Sequence, residues 1–179
     1  LNTARFCFGF AVGYDSIHDY LSESDRKTIV DAVARLGILP TLGDWILPEK
    51  RVHALDSMGH NWWSVCVAEA GLAALSIIDD DSRAKGWVDA VVEAFPLWFD
   101  YRGERLLNKS PNFDEGGAFY ESVNYANYAL YEYLLFRLGL TNVLGKPEDG
   151  DIPLLGKVGE YFLHTCYPTG SGILTVNFG

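Results

Sequence analysis

Apolar residues recur along this chain with the period of an α-helix, and this pattern constrains the fold more than any other feature. It is strongest over residues 60–78, which are rich in Ala, Val and Leu and end at the acidic run 79–81. Apolar side chains at positions i, i+3, i+4 and i+7 share one face of a helix, and that face has to pack against another element. The sequence therefore predicts an all-α protein of antiparallel helical hairpins packed side by side.

Ser, Asp, Gly and Pro divide the sequence into about six or seven helices joined by short connections. A cap at Ser22 or Ser24 is typical of a helix start, and Gly37 is typical of a helix end. We expect helices over residues 2–20, 22–37, 60–78, 81–99, 116–138 and 154–165, a turn or two of helix over 45–50, and a strand over 173–178. The irregular stretch 102–115 is long for a helical domain, which favours a functional or mobile loop.

Length and composition exclude several classes of protein. The 179 residues are enough for one domain, and a hydrophobic content of 49% excludes a disordered tail. The 14 Lys and Arg residues against 24 Asp and Glu give a net charge of −10, which argues against a nucleic-acid partner. No window of about 20 apolar residues occurs, so we expect no membrane span.

The cysteines and the chain ends carry weaker information. Cys7, Cys66 and Cys166 are too few and too scattered for a disulfide framework or a zinc site, so we expect small buried side chains. Because the chain starts at Leu1 rather than Met and a strand-like run begins just before Gly179, we expect a part of a longer protein.

Two segments carry residues suited to chemistry. In the first, His60 and Asn61 stand beside Trp62 and Trp63 at the start of the most apolar helix, where unpaired N–H groups favour an anion. The alternative is that Asn61 caps the helix and the tryptophans fill the core. Neither interpretation is excluded by the segment alone.

In the second segment, the pair Gly116-Gly117 leads into a helix expected to carry Glu121, Tyr125 and Tyr128 at i, i+4 and i+7. This spacing predicts one carboxylate and two phenols on the same helix face. Tyrosines at helical spacing also occur as ordinary core or interface residues. Both interpretations stay open.

Three blocks taken together resemble the heparinase II/III-like family of polysaccharide lyases. They are Gly13-Tyr14-Asp15 through Leu21-Ser22-Glu23-Ser24-Asp25-Arg26, then His60-Asn61-Trp62-Trp63 running on to Ala68, Gly71 and Ala74, and finally Glu115-Gly116-Gly117-Ala118-Phe119-Tyr120-Glu121-Ser122-Val123-Asn124-Tyr125-Ala126-Asn127-Tyr128. Ser122 stands where the family usually has Gly, and Asn124 falls in a stretch that often holds Gly or Pro. Neither departure removes a reactive group.

The resemblance implies that residues 1–179 form part of a single catalytic domain, an incomplete (α/α) toroid with a short strand at its C-terminal end. Members of the family complete the site with a following β-sandwich domain, which is absent from this chain. The resemblance implies no cofactor in the present segment, although a structural metal in that missing domain is compatible with the family. It also implies a bacterial periplasmic or secreted enzyme.

The implied activity is β-elimination in an acidic, uronic-acid-containing polysaccharide. Catalysis then needs neutralisation of the uronate carboxylate, which suits His60, Asn61 and the helix N-terminus. Tyr125 is the expected proton-transfer residue, with Tyr128 as its substitute. Glu121 is expected to orient a neighbouring side chain or bind sugar hydroxyls.

The remaining expected contacts are with the substrate chain. Trp62 and Trp63 are candidates for stacking on sugar rings, although one of the pair is expected to face the core. Arg102 and Arg105, in the irregular loop with Lys109, form either a cationic lip for an acidic sugar chain or an ordinary solvated surface.

Two alternatives belong to other functional classes. One is an (α/α)-barrel glycoside hydrolase that pairs Asp114 or Glu115 with Glu121. The other is a non-catalytic carbohydrate-binding helical domain. No metal-ligand motif, phosphate loop or nucleophile elbow is found in the sequence, and His18, His53 and His164 stand alone.

Overall fold

Seven α-helices and one short β-hairpin make up the regular structure of residues 1–47, 58–145 and 152–175, the parts of the chain that this computed structural model describes. The helices are α1 Asn2–Ile17, α2 Glu23–Val33, α3 Leu39–Trp45, α4 Asn61–Ser76, α5 Ala84–Phe99, α6 Val123–Leu144 and α7 Pro153–His164, and the strands are β1 Cys166–Thr169 and β2 Gly172–Thr175. The expectation of a mainly helical protein is confirmed.

Helix α4 lies at the centre of the helical part and packs against α1, α3, α5 and α6. All residues from Trp63 to Gly71 are buried, as a helix that is apolar around its whole circumference requires. The helix predicted over residues 60–78 is therefore confirmed to within two residues at each end. Its first residue, Asn61, is 3% exposed although it is polar, and it belongs to the candidate site described below.

The prediction that Gly37 ends the second helix is wrong. After α2, residues Ala34–Ile38 form a π-helical turn that continues directly into α3. A Cβ atom at position 37 would lie 2.8 Å from Cys7 Sγ on α1, so the absent side chain permits close packing of the two helices. The predicted cap at Ser22 is confirmed, because its Oγ accepts a hydrogen bond from Asp25 N at 3.1 Å.

An aromatic cluster fills the space between α4, α5 and α6. The rings of Trp63 and Trp98 stack with centroids 6.2 Å apart, and Phe95 contacts Tyr133 at 4.5 Å. The rings of Phe113 and Phe119, from the segment before α6, pack against Trp98. This cluster supports the loop that carries the second candidate segment.

The helix predicted over residues 116–138 starts and ends later, because α6 spans Val123–Leu144. Phe113 and Phe119 pair as an antiparallel bridge, and Asp114 Oδ1 accepts hydrogen bonds from Gly116 N at 2.8 Å and Ala118 N at 2.9 Å. These bonds keep the Gly pair in a loop. Glu121 therefore precedes the helix, and the prediction that it shares a helix face with Tyr125 and Tyr128 is wrong.

The C-terminal helix is confirmed, and a hairpin follows it. Strand β1, which the sequence did not predict, pairs with β2 in the register Cys166↔Thr175 to Thr169↔Gly172. Cys7 and Cys66 are buried as expected, whereas Cys166 is half-buried. The expected helix end over 48–50, the strand end over 176–178 and His53 lie outside the described residues. Among the helices described here, none has the length and apolar character to cross a membrane.

Arg5 ties three helices together. From α1, its Nη1 atom donates to Glu69 Oε1 on α4 at 2.5 Å and to Glu132 Oε1 on α6 at 2.6 Å. The two glutamates are 0% and 2% exposed. Two acidic side chains are therefore buried where these three helices meet, and they bind an arginine whose side chain is 39% exposed.

Replacing Gly71 with Ala tests the close packing of α4. The added Cβ would lie 2.7 Å from Phe136 Cε2 and 3.1 Å from Val91 Cγ1, both in the core. We expect Gly71→Ala to lower the free energy of unfolding by about 1–3 kcal/mol, measured by urea denaturation.

The control is Gly86→Ala on the exposed side of α5, where a Cβ meets nothing within 4 Å. This substitution should raise stability by about 0.5–1 kcal/mol because Ala favours the helix. Equal effects of the two substitutions would contradict the described packing of α4.

Candidate functional site

The carboxylate of Glu121 joins the two segments that the sequence singled out. Its Oε2 atom accepts hydrogen bonds from the side-chain amide of Asn61 and, at 3.3 Å, from Asn61 N. Its Oε1 atom accepts from the Tyr120 hydroxyl at 3.1 Å and lies 3.7 Å from His60 Nε2. We call these four residues, His60, Asn61, Tyr120 and Glu121, the polar cluster.

The chain before α4 is held in place by buried hydrogen bonds. Asn112, which is fully buried, donates from Nδ2 to Met58 O at 2.9 Å and to Trp98 O at 2.8 Å. The same Tyr120 hydroxyl lies 2.8 Å from Gly59 O, so its single proton is shared between this carbonyl and Glu121. A Cβ on Gly59 would lie 2.8 Å from the ring of Tyr101, so this turn fits against the irregular loop only with glycine.

His60, not Asn61, is the N-terminal cap of α4. Its backbone is extended, and its Nδ1 atom accepts a hydrogen bond from Trp62 N at 3.0 Å. Because Nδ1 is the acceptor, we assign the proton of the neutral ring to Nε2, on the side of Glu121. The alternative in which Asn61 caps the helix is therefore wrong.

Burial lowers the pKa of His60 below its usual value of 6.5. The negative charge of Glu121 opposes this shift, and the positive charge of Lys109 adds to it. The ring is therefore neutral at pH 7. At 3.7 Å from Glu121, its Nε2–H group is beyond hydrogen-bond distance of that carboxylate.

Tyr120 is a functional candidate that the sequence analysis did not select. Burial, followed by the charge of Glu121, raises the pKa of its hydroxyl, so the phenol keeps its proton at neutral pH. Its position directly before Glu121 was the available signal. However, the sequence alone does not show which aromatic ring folds back onto Gly59.

The two predicted tyrosines lie in different surroundings. Tyr125 lies in the first turn of α6 with 43% of its surface exposed, and within the described residues no hydrogen bond joins its hydroxyl to the polar cluster. Tyr128 is half-buried, and the Arg5 guanidinium lies over its ring at 5.1 Å from the centroid. Tyr125 is therefore the more accessible phenol.

The two tryptophans have separate roles. Trp62 is 36% exposed and makes an edge contact with His60, with ring centroids 5.2 Å apart. Trp63 is fully buried against Trp98, so neither face of its ring can reach a sugar. The expectation of sugar stacking is thus limited to Trp62, and Trp63 is the member of the pair that faces the core.

The predicted arginines are not brought into the polar cluster. Arg102 is exposed and pairs with Asp100, and Arg105 is exposed at the tip of a turn closed by the bridge between Glu104 and Lys109. Arg102 lines a separate open cavity of about 490 Å³ together with Lys157 from α7. Lys157 Nζ donates to Glu115 O at 2.9 Å, which attaches this loop to α7.

The arrangement changes the chemistry expected at the start of α4. The helix N-terminus and Asn61 were expected to receive a substrate carboxylate, but in this structure the Glu121 carboxylate occupies that position. Asn61 Oδ1 is buried without a hydrogen-bond partner within the described residues. The accessible side chains are therefore Tyr125 and Tyr120, each 43% exposed, Trp62, and His60, whose side chain is 22% exposed. The Tyr120 hydroxyl is already bound to Gly59 O, which leaves Tyr125 as the exposed phenol outside the polar cluster.

Comparison with known proteins adds no assignment. No protein-family model matches the chain, and no curated protein or solved structure shows significant similarity to it. Over the described residues, no group of three or more His, Cys, Asp and Glu side chains is arranged to hold a metal ion.

The charge coupling between Glu121 and His60 can be measured directly. The negative charge of Glu121 raises the pKa of His60, so Glu121→Gln should lower that pKa further from its already reduced value. We expect an NMR titration of the His60 ring signals to move to lower pH. Glu115→Gln, an exposed carboxylate of the same loop, is the control and should leave the His60 titration unchanged. A shift of His60 in the opposite direction would contradict the described contact.

Proposed function

We propose that this chain is part of an (α/α) toroid domain of a lyase that cleaves an acidic, uronate-containing polysaccharide by β-elimination. The observation that carries the proposal is the contact of Glu121 with Asn61, because it brings together the two most reactive blocks of the resemblance to the heparinase II/III-like family. These residues are 60 positions apart in sequence. A helical protein built around α4 is compatible with such a toroid.

The proposed reaction removes the C5 proton of a uronate and breaks the bond from C4 to the glycosidic oxygen. A base accepts the C5 proton, the C5–H electron pair forms the new C4–C5 double bond, and an acid gives a proton to the leaving oxygen. Tyr125 is the proposed proton-transfer residue, because its phenol is exposed and lies in the first turn of α6, four residues after Glu121 in the sequence. Tyr128, packed against Arg5, is the substitute.

Charge develops on the uronate carboxylate as the proton leaves, so the site must stabilise that carboxylate. We place it beside the His60 ring, whose Nε2–H group makes no hydrogen bond to Glu121. Asn61 and Glu121 act as positioning residues that hold this ring, because their contact fixes the start of α4. Trp62 offers an exposed ring face on which a sugar can stack.

The wider assignment rests on the resemblance alone. It includes a bacterial periplasmic or secreted location and a following β-sandwich domain that completes the site, and it is compatible with a structural metal in that domain. Arg102 and Arg105 remain candidates for contact with distant acidic units of the polymer. The net charge of −10 favours less sulfated polymers, such as alginate-like uronates.

The hydrolase alternative has less support in the geometry. Such an enzyme needs two carboxylates across the scissile bond. Asp114 Oδ1 already accepts two backbone hydrogen bonds that shape its own loop, and Glu121 is held by Asn61. The lyase needs no second free carboxylate at this position.

The test is an absorbance assay for the unsaturated uronate product in the near ultraviolet. Alginate, heparan, chondroitin and hyaluronan are each incubated with the intact protein that contains this chain. Tyr125→Phe should reduce kcat by at least about 100-fold, because general acid–base groups contribute 10²–10⁴-fold. Tyr131→Phe is the matched control, since Tyr131 is another exposed tyrosine of α6, and it should retain activity.

Each other result has a defined meaning. Product formation that survives Tyr125→Phe but not Tyr128→Phe moves proton transfer to Tyr128. Reducing ends that appear without an unsaturated product indicate hydrolysis and overturn the proposal. Binding of a polymer without cleavage, lost in Trp62→Ala, indicates a carbohydrate-binding domain.

A further inference from the structure

The junction of α1, α4 and α6 contains two buried carboxylates and one cation. Glu69 and Glu132 each bind Arg5 Nη1 through Oε1, at 2.5 and 2.6 Å. The second oxygen of each carboxylate, Oε2, is also buried, and neither has a hydrogen-bond partner in the part of the chain that the structure describes. Since both carboxylates bind the same nitrogen, the two carboxyl groups lie close to each other.

If both glutamates are ionised, the charges of the three side chains at this junction do not balance. Arg5 is always protonated and neutralises one carboxylate, so one negative charge would remain in the interior. An unpaired buried charge costs several kcal/mol, and a buried carboxyl group avoids this cost by taking up a proton. A proton on one Oε2 would also supply the missing hydrogen-bond donor for the other carboxylate.

The side chains around the pair, Cys7 on α1, Cys66 on α4 and Tyr128 on α6, carry no positive charge. The amino group of Leu1 is a second cation near Glu69, but within the described residues it binds neither Oε2 atom. The thiols stay protonated, because burial raises the pKa of Cys7 to about 12 and that of Cys66 to about 11. Burial, and then the charge of Glu132, raises the pKa of Glu69 to about 7, although Arg5 and the Leu1 amino group oppose the shift.

We propose that Glu69 and Glu132 share one proton, so that the junction of α1, α4 and α6 becomes less stable as the pH rises and this proton is lost. Below neutral pH, one carboxylic acid, one carboxylate and Arg5 balance in charge. Above neutral pH, both carboxylates are ionised and repel each other, and the single guanidinium neutralises only one of them. Arg5 also packs over the ring of Tyr128. Weaker binding of Arg5 would therefore also affect the start of α6, where the candidate site lies.

The direction of the pH effect follows from linkage. The folded chain keeps a proton that the unfolded chain releases near the ordinary glutamate pKa of 4.5, so this group's stabilisation falls as the pH rises towards about 7. The change in the folding equilibrium is about tenfold for each unit by which the pKa is raised. Other carboxylates also titrate, so the effect has to be measured as a difference between variants.

The experiment compares denaturant unfolding of the whole chain, Glu69→Gln and Glu93→Gln between about pH 5 and about pH 8. Gln at position 69 mimics the protonated acid and cannot ionise. We expect the stability of the original chain relative to Glu69→Gln to fall by at least about tenfold in equilibrium constant across this range. Glu93, on the exposed side of α5, is the control, and its substitution should give a difference that does not vary with pH.

A second measurement uses the original chain, so it gives a result even if the Glu69→Gln variant fails to fold. Infrared spectra of the original chain with ¹³C-labelled glutamate should show a protonated carboxyl band at about pH 6, well above the range where exposed glutamates titrate, and lose it at about pH 8. Absence of this band at pH 6 would overturn the proposal. So would a Glu69→Gln variant that is less stable by the same factor at every pH, because that result describes two ionised carboxylates.

Discussion

The burial of α4 on all sides is the constraint on which the other features of the structure depend. A helix without a polar face has no stable position at a surface, so α1, α3, α5 and α6 pack around it. Close contact at Gly71 brings α6 within reach of α4, and the buried aromatic cluster fills the remaining space. The polar residues of α4 must then find partners inside the protein. Asn61 reaches Glu121 and Glu69 reaches Arg5, and both candidate centres arise from this requirement.

The polar cluster shows how a helix start can be completed by another part of the same chain. Glu121 supplies an anion to the N-terminus of α4, and the Nε2–H group of His60 lies 3.7 Å from the same carboxylate without a hydrogen bond to it. An anion that binds here from outside would lie near the Glu121 carboxylate, which already binds the start of α4. Recognition of an acidic sugar there depends on the orientation of His60 and on the accessible phenol of Tyr125, more than on the helix dipole.

Much of the helical pattern could be predicted from the sequence, because apolar spacing and caps such as Ser22 are local signals. The start of α6 could not, because the Phe113–Phe119 bridge and the Asp114 turn compete with helix formation through contacts that periodicity does not contain. The segments around His60 and Glu121 were identified, but their contact was not, since it joins residues 60 positions apart. The contact of Arg5 with the buried Glu69 and Glu132 could not be predicted, because the sequence of an apolar helix does not show which residue a charged side chain binds.

The π-helical turn at Ala34–Ile38 has a consequence for how this part of the fold tolerates change in length. A π-turn holds one residue more than an α-turn, so every side chain after it is rotated by about 100° relative to a continuous α-helix. With this rotation, Gly37 meets α1 while Leu42 and Trp45 are buried. Loss of one residue here would restore an ordinary helix and turn those two side chains out of the core. The segment is therefore sensitive to its length in a way that substitution at any single position does not reproduce.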